Sequence, residues 1–229
     1  MIPWEQLDTA PIPDSEGTLR LMRRGSEYSI MTGGTELMNS RLSGSEKSLA
    51  ALACAKIAGR AAPTVLIGGL GMGFTLRAAL DALPSDASVI VAEIVPQVVD
   101  WARGPLAPLF GDCLDDPRVT IRLGDVAAPI READGSFDAM LLDVDNGPGG
   151  LDRAANDDLY GAEGLLMMPW TAPHPGRRLA AAVMEERHGR GGHGGIGHRQ
   201  VGVSGPRSRC CRPGGRAAQV HASEADPVL

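Results

Sequence analysis

The run Thr64-Val65-Leu66-Ile67-Gly68-Gly69-Leu70-Gly71-Met72-Gly73 does more than any other to restrict the fold. Apolar and β-branched residues lead without interruption into a cluster of glycines, and a helix-like segment follows from Phe74. An unbroken apolar run of this kind reads as a strand buried on both faces of a parallel sheet. Glycines directly after it allow a tight turn and let a ligand approach the backbone closely. The next helix then directs unpaired N–H groups at the same place. The 229 residues give room for one such α/β domain and a small appendage. Aromatic residues make up only 3% of the chain, so the core has to be built from Leu, Val, Ile, Ala and Met.

The remainder of the chain supplies neighbours for that strand. Residues 1–17 are rich in Pro, Asp and Glu and read as a loose arm. From Thr18 to Met38 short apolar and polar residues alternate, broken by Arg24-Gly25-Ser26 and Thr32-Gly33-Gly34, which predicts a small set of antiparallel hairpins. Ser43-Gly44-Ser45-Glu46 has capping-box spacing. Leu49, Leu52, Ala53 and Ile57 follow at helical spacing, with Gly59 as the stop. A helix is expected from Phe74 to Leu83, ended by Pro84, then a strand from Ser88 to Glu93. Pro96 opens a helix that runs to Arg103. Two more strands are expected, Pro117 to Leu123 and Phe137 to Leu142. The alternation predicts a parallel sheet with right-handed crossovers.

Acidic residues fall at the strand ends. Successive strands finish in the glycine turn, in Glu93, in Gly124-Asp125, and in Asp143-Val144-Asp145-Asn146-Gly147-Pro148. In an open α/β sheet the ligand lies outside the carboxyl ends of the strands. Glu93 is suited to accept hydrogen bonds from two ribose hydroxyls, and Asp125 from an exocyclic adenine amine; each could instead be a helix cap or a loop residue. A dinucleotide fingerprint, G-x-G-x-x-G, would need glycine where Phe74 stands. The spacing here is Gly69-x-Gly71-x-Gly73, the turn typical of proteins that bind S-adenosylmethionine.

Taken together, Val65 to Gly73, Val91-Ala92-Glu93-Ile94, Asp116-Pro117-Arg118-Val119, Gly124-Asp125 and Phe137-Asp138 through Asp143 resemble the spermidine synthase-like family. The resemblance covers residues 18 to 165. It implies a Rossmann-like, parallel-sheet S-adenosylmethionine-binding domain over 43–170, preceded by an arm and small antiparallel β region over 1–42. Residues 171–229 stand apart as an irregular Gly/Arg/His-rich tail. By the same resemblance Gly68, Gly69, Gly71, Gly73, Glu93, Ile94, Asp125, Val126 and Asp143 bind the nucleoside donor. Glu93 lies on the ribose, Asp125 near the adenine, and Asp145 with Asp143 beside the reacting group.

Departures from the family's pattern bear on the chemistry. Aminopropyltransferases of this family carry a G-G-G-D-G-G turn whose acid helps hold the donor's ammonium. Here Gly71 takes that acid's place, and Val95 stands where the family's E-I-D has its Asp. The Asp143–Pro148 loop is also shorter, leaving Asp145 and Asn146 as alternatives for the second acid. An ammonium left in a dry pocket without its carboxylate is costly, on the order of several kcal/mol. Three readings follow. The first is methyl transfer from S-adenosylmethionine to an amine or hydroxyl on a small-molecule acceptor, with Asp145 orienting the acceptor or taking its proton. The second is aminopropyl transfer from decarboxylated S-adenosylmethionine to a polyamine. The third is nucleoside binding without turnover.

Charge and composition limit the partners. Up to Trp170 the chain carries a net charge of −11, and beyond it +5. An acidic body is a poor surface for nucleic acid, which is bound through clustered basic charge. No run approaches the roughly 20 apolar residues of a membrane helix, and Met1-Ile2-Pro3-Trp4-Glu5 shows no secretory signal. Cys54, Cys113, Cys210 and Cys211 form no disulfide or metal framework by spacing, so a reduced, cytoplasmic protein is expected. In the tail, His188, His193 and His198 recur in a glycine-rich run without fixed geometry, and no metal site is expected there. The tail's excess of Gly, Arg, His, Ala and Pro is what a GC-rich gene read out of frame would encode. If the closing strands of the sheet are missing, an open edge favours a homodimer.

Overall fold

A computed structural model describes residues 2–132 and 137–142, and the backbone of two further strands, 180–187 and 198–204. Four strands, β1 (Glu5–Pro11), β2 (Thr18–Arg24), β3 (Glu27–Thr32) and β4 (Thr35–Asn39), form an antiparallel meander in sequence order. The two hairpins expected around Gly25 and Gly33 are present. The arm, in contrast, is not loose. β1 pairs with β2 from Glu5 to Pro11, with a bulge between Gln6 and Asp8. Its order comes from a distant partner: the Trp101 indole N–H donates to Asp8 Oδ2 at 2.7 Å. Arg23 adds a bond to Glu5 across the pair, at 2.9 Å.

The second sheet contains β5 (Thr64–Gly68), β6 (Ser88–Glu93), β7 (Val119–Leu123), β8 (Ala139–Leu142), β9 (Ala180–Arg187) and β10 (His198–Ser204). Their order is β10-β9-β8-β5-β6-β7, all parallel except for the β9–β10 pair. The outer two strands fall within the segment that composition sets apart; His188 and His193 lie outside the described residues. β5 occupies the centre because its side chains are apolar in both directions. Successive residues of a strand point to opposite faces, and the core divides accordingly. Val65, Ile67, Val89, Val91, Ala139 and Leu141 join the larger apolar cluster, whereas Leu66, Ala92, Met140 and Leu142 join a smaller one with Val126, Ile130 and Phe137. Both faces are thus covered, as a parallel sheet requires.

The larger cluster is built by α1 (Gly44–Lys56), α2 (Phe74–Ala82), α3 (Pro96–Arg103) and α4 (Ala107–Phe110), together with Ala10, Leu19, Leu21 and Ile30 of the small sheet. α5 (Ala127–Glu132) covers the other face. α1 starts after Ser43 as its spacing predicts, but Ser43 makes no side-chain cap. Glu46 instead accepts from Ser45 Oγ at 2.8 Å. At the end of α2, Arg118 Nη1 donates to the carbonyls of Leu80 at 3.0 Å and Leu83 at 3.1 Å. Its bonds to Asp116 hold that carboxyl down to about 2. One cation therefore fastens the helix terminus to the entry of β7. No helix among the described residues is long and apolar enough to cross a membrane.

Two positions make the fold testable. Asp138 is fully buried at the start of β8; it accepts from Arg60 Nη1 at 2.7 Å and from the Thr64 N–H at 2.9 Å. Asp138→Ala removes the buried acceptor that both donors share, and the expected loss is about 3 kcal/mol, the low end for a broken buried ion pair because Arg60 keeps some solvent. A urea titration reads it as a lowered midpoint with an unchanged slope. Gly73 has φ +76°, and a Cβ placed there would lie 2.5 Å from Cε1 of the Phe110 ring. Gly73→Ala combines left-handed strain with displacement of that buried ring, and is expected to cost roughly 1–3 kcal/mol in the same measurement. A stability equal to wild type would contradict the packing described.

Candidate functional site

The carboxyl ends of β5, β6 and β7 are fastened to one another through main-chain bonds. The Gly69 N–H donates to the Ala92 carbonyl at 2.8 Å, and the Gly124 N–H donates to the Glu93 carbonyl at 2.8 Å. Between them stands the Glu93 side chain, only 6% exposed. Its Oε2 accepts from the Leu70 N–H, and its Oε1 from the Val95 N–H, each at 2.8 Å. A carboxylate from β6 therefore holds the glycine turn after β5. Burial pushes the Glu93 carboxyl above the ordinary glutamate range, opposed by the N–H groups of Val95, Leu70, Gly71 and Ile94.

The turn itself closes through the Gly73 N–H, which donates to the Leu70 carbonyl at 2.9 Å, and the Arg77 N–H then opens α2 on the Gly73 carbonyl. No acidic side chain lies in the first turn of α2. Gly68 is required for a different reason. A Cβ there would meet Val126 Cγ2 at 3.1 Å and Leu142 Cδ2 at 3.3 Å. The bare backbone lets Val126, after β7, close directly over the end of β5. Asp125 acts as a helix cap: its Oδ1 accepts from the Ala127 N–H at 2.8 Å at the start of α5.

The structure thus brings together Gly68, Gly69, Gly71, Gly73, Glu93, Ile94, Asp125 and Val126 at one edge of the sheet. Asp143 and Asp145 lie outside the described residues, and so does the loop to Pro148. Three contributors escape sequence reasoning. The Leu70 and Val95 N–H groups act through the main chain, which leaves no trace in residue type. Met38 of β4 lies over the turn: a Cβ on Gly71 would stand 2.8 Å from its Cε and 2.9 Å from its Sδ. Nothing local in β4 announces that contact, because it depends on how the small sheet docks.

No family model matches the chain. A stretch of 80 residues is 42% identical to putrescine N-methyltransferase 1 of Nicotiana tabacum, covering 34% of this chain and 21% of that protein. The corresponding Nicotiana attenuata protein is 42% identical over 80 residues, with 34% of this chain and 20% of the relative covered. The match spans about a fifth of the length of these curated relatives. Among solved structures, a spermidine synthase in complex with the transition-state analogue AdoDATO superposes with a TM-score of 0.61 at 17% identity, covering 80% of this chain and 57% of that one. The spermidine synthase of Thermotoga maritima gives 0.62 at 18% identity, with the same coverage. At such identities the likeness concerns the fold. The resemblance carried by the glycine turn and the strand-end acids therefore holds: the chain has the spermidine synthase-like fold, a Rossmann-like sheet beside a small antiparallel one, and a part of its sequence is similar to putrescine N-methyltransferases.

Proposed function

We propose that this chain binds S-adenosylmethionine at the carboxyl edge of β5–β6–β7 and transfers its methyl group to an amine of a small-molecule acceptor. The observation that carries the reading is the buried Glu93 carboxylate, fixed against a glycine turn whose six positions, Gly68 to Gly73, contain no acid. A fixed acceptor at the end of the second strand suits vicinal ribose hydroxyls, since each carboxylate oxygen offers two lone pairs. A turn without a carboxylate suits a donor whose tail carries its own carboxylate beside the ammonium. The sequence similarity to putrescine N-methyltransferases supports the same choice of transferred group and of an amine acceptor.

When bound, such a donor supplies a methyl group already activated on a positively charged sulfur, so the protein has little covalent work to do. Glu93 holds the sugar, and the glycines admit the tail. Val126 and Ile94 bound the sugar and base with apolar surface. Asp145, with Asp143, is proposed to orient the acceptor amine and take its proton as the new bond forms. Alignment and exclusion of water then account for most of the acceleration. We place the protein in the cytoplasm; burial pushes the Cys54 and Cys113 thiols up to about 11, which keeps them unreactive there.

Calorimetric titration with S-adenosylmethionine, its decarboxylated analogue and methylthioadenosine tests the reading. Binding of S-adenosylmethionine, with methylated product from a diamine, is expected. Tight binding of the decarboxylated donor alone would favour aminopropyl transfer, and binding without turnover a nucleoside-binding role. The pH dependence is a second test. Because the Glu93 carboxyl is raised, it protonates at a higher pH than a free glutamate. Donor affinity is therefore expected to be highest above that raised value and to fall as pH drops through it. The group's contribution to stability runs the opposite way: it is greatest at low pH and declines as pH rises through the folded value. Glu93→Gln should weaken binding roughly 10- to 100-fold and flatten the profile. A variant that keeps wild-type affinity and slope would overturn the role given to Glu93.

A further inference from the structure

The strand order β7-β6-β5 arranges a bound nucleoside along the sheet edge, and that arrangement rests on the reading proposed above. Its base lies toward Asp125 and Val126 after β7, its sugar at Glu93 after β6, and its tail over the turn after β5. The side chain standing over that turn comes from the other sheet. Met38, on β4, places its thioether and methyl group where a Cβ of Gly71 would otherwise be, at 2.9 and 2.8 Å. Met38 is partly buried and packs against the main apolar cluster, so its stem is anchored while its tip reaches the turn. Gly71 has φ +51°, a conformation that already disfavours a side chain.

We propose that Met38 is a specificity-determining residue for the donor: its uncharged thioether forms the wall facing the charged tail, and it sets which tail charge the site accepts. The three ligands differ at that point. S-adenosylmethionine carries both a carboxylate and an ammonium, the decarboxylated donor an ammonium only, and methylthioadenosine no charged tail. A neutral, polarizable wall over an acid-free turn supplies no countercharge to a lone ammonium. It leaves the tail's two opposite charges to neutralise each other. Sequence position alone hides this residue, because β4 belongs to the small sheet and Gly71 to the large one.

A pair of opposite charge changes tests the inference in the full-length protein. Met38→Glu and Met38→Lys are each titrated with the three ligands, and Met38→Leu serves as a packing control, with thermal melts confirming that each variant folds. Met38→Glu is expected to tighten the decarboxylated donor and weaken S-adenosylmethionine, moving their affinity ratio by about tenfold. Met38→Lys should move the ratio the other way. Methylthioadenosine should change by less than about twofold in either, since it presents no charge to the wall. Met38→Leu should leave the ratio at the wild-type value. A residue that merely props up the turn would shift all three ligands in the same direction, and that result would overturn the inference. So would an unchanged ratio in both charge variants. If the wild-type chain binds none of the three, the donor-site reading itself fails, which is a distinguishable outcome.

Discussion

A buried carboxylate at the end of β6, bonded to main-chain N–H groups on either side, holds the functional edge of this sheet together. Glu93 accepts from Leu70, in the turn after β5, and from Val95, at the entry to α3. Burial alone would drive such a group toward its neutral form; several N–H donors aimed at it oppose that. The bargain is local but its consequences spread. With Leu70 fixed, Gly73 can cap α2 and receive the Phe110 ring, and the Glu93 carbonyl can take the N–H of Gly124. The Glu93 side chain fixes the turn after β5 and the entry to α3, and its main-chain carbonyl ties in the end of β7. An alanine at this position would remove both bonds together with any sugar contact, whereas a glutamine keeps one accepting oxygen and turns an NH2 toward the other N–H, so its binding is read beside a thermal melt.

The small sheet is tied to the large one at points that matter to the site. Trp101 is almost fully buried in α3, yet its indole N–H reaches Asp8 of β1, and the same hydrogen bond holds the Asp8 carboxyl below its usual range. Met38 reaches Gly71 from β4. α3 begins at Pro96, immediately after the residues that cradle Glu93. The two sheets therefore meet through elements that also build the turn, and a shared apolar cluster joins Leu21 and Ile30 to Leu49, Leu76 and Trp101. Large apolar side chains buried across such a junction contribute about 1.5–3 kcal/mol each. The small sheet is thus packed against the glycine turn and α3 and is more than an appendage.

What could be read from the sequence follows from where the determining interactions lie. β5, β6 and β8 were legible because their apolar runs are local and uninterrupted, and α3 because Pro96 marks its first turn. Glu93 and Asp125 stand at the carboxyl edge of the sheet, where their strand-end positions put them. β1 was misjudged as a loose arm because its stability is supplied by β2 and by Trp101, 93 positions away. The Ser43–Glu46 spacing located the start of α1 but not its chemistry, since Glu46 turned to Ser45 instead. Met38 could not be found at all. Its role depends on a docking angle, and residue type or period does not encode one.

Asp125 shows why a structural and a binding role need not compete at this edge. Its Oδ1 is committed to the Ala127 N–H, as an N-cap. That bond fixes the carboxylate's position at the carboxyl edge of the sheet. Glu93 is in the same condition. A ligand meeting two such acids finds acceptors whose rotamers are already settled, so less ordering is left to be done on binding. The glycine turn contributes in the complementary way, by removing side chains where a ligand must approach. A cap and a turn support are therefore what a rigid nucleoside site would be made from, and the acids proposed to read the sugar and the base are the ones that keep the sheet edge in shape.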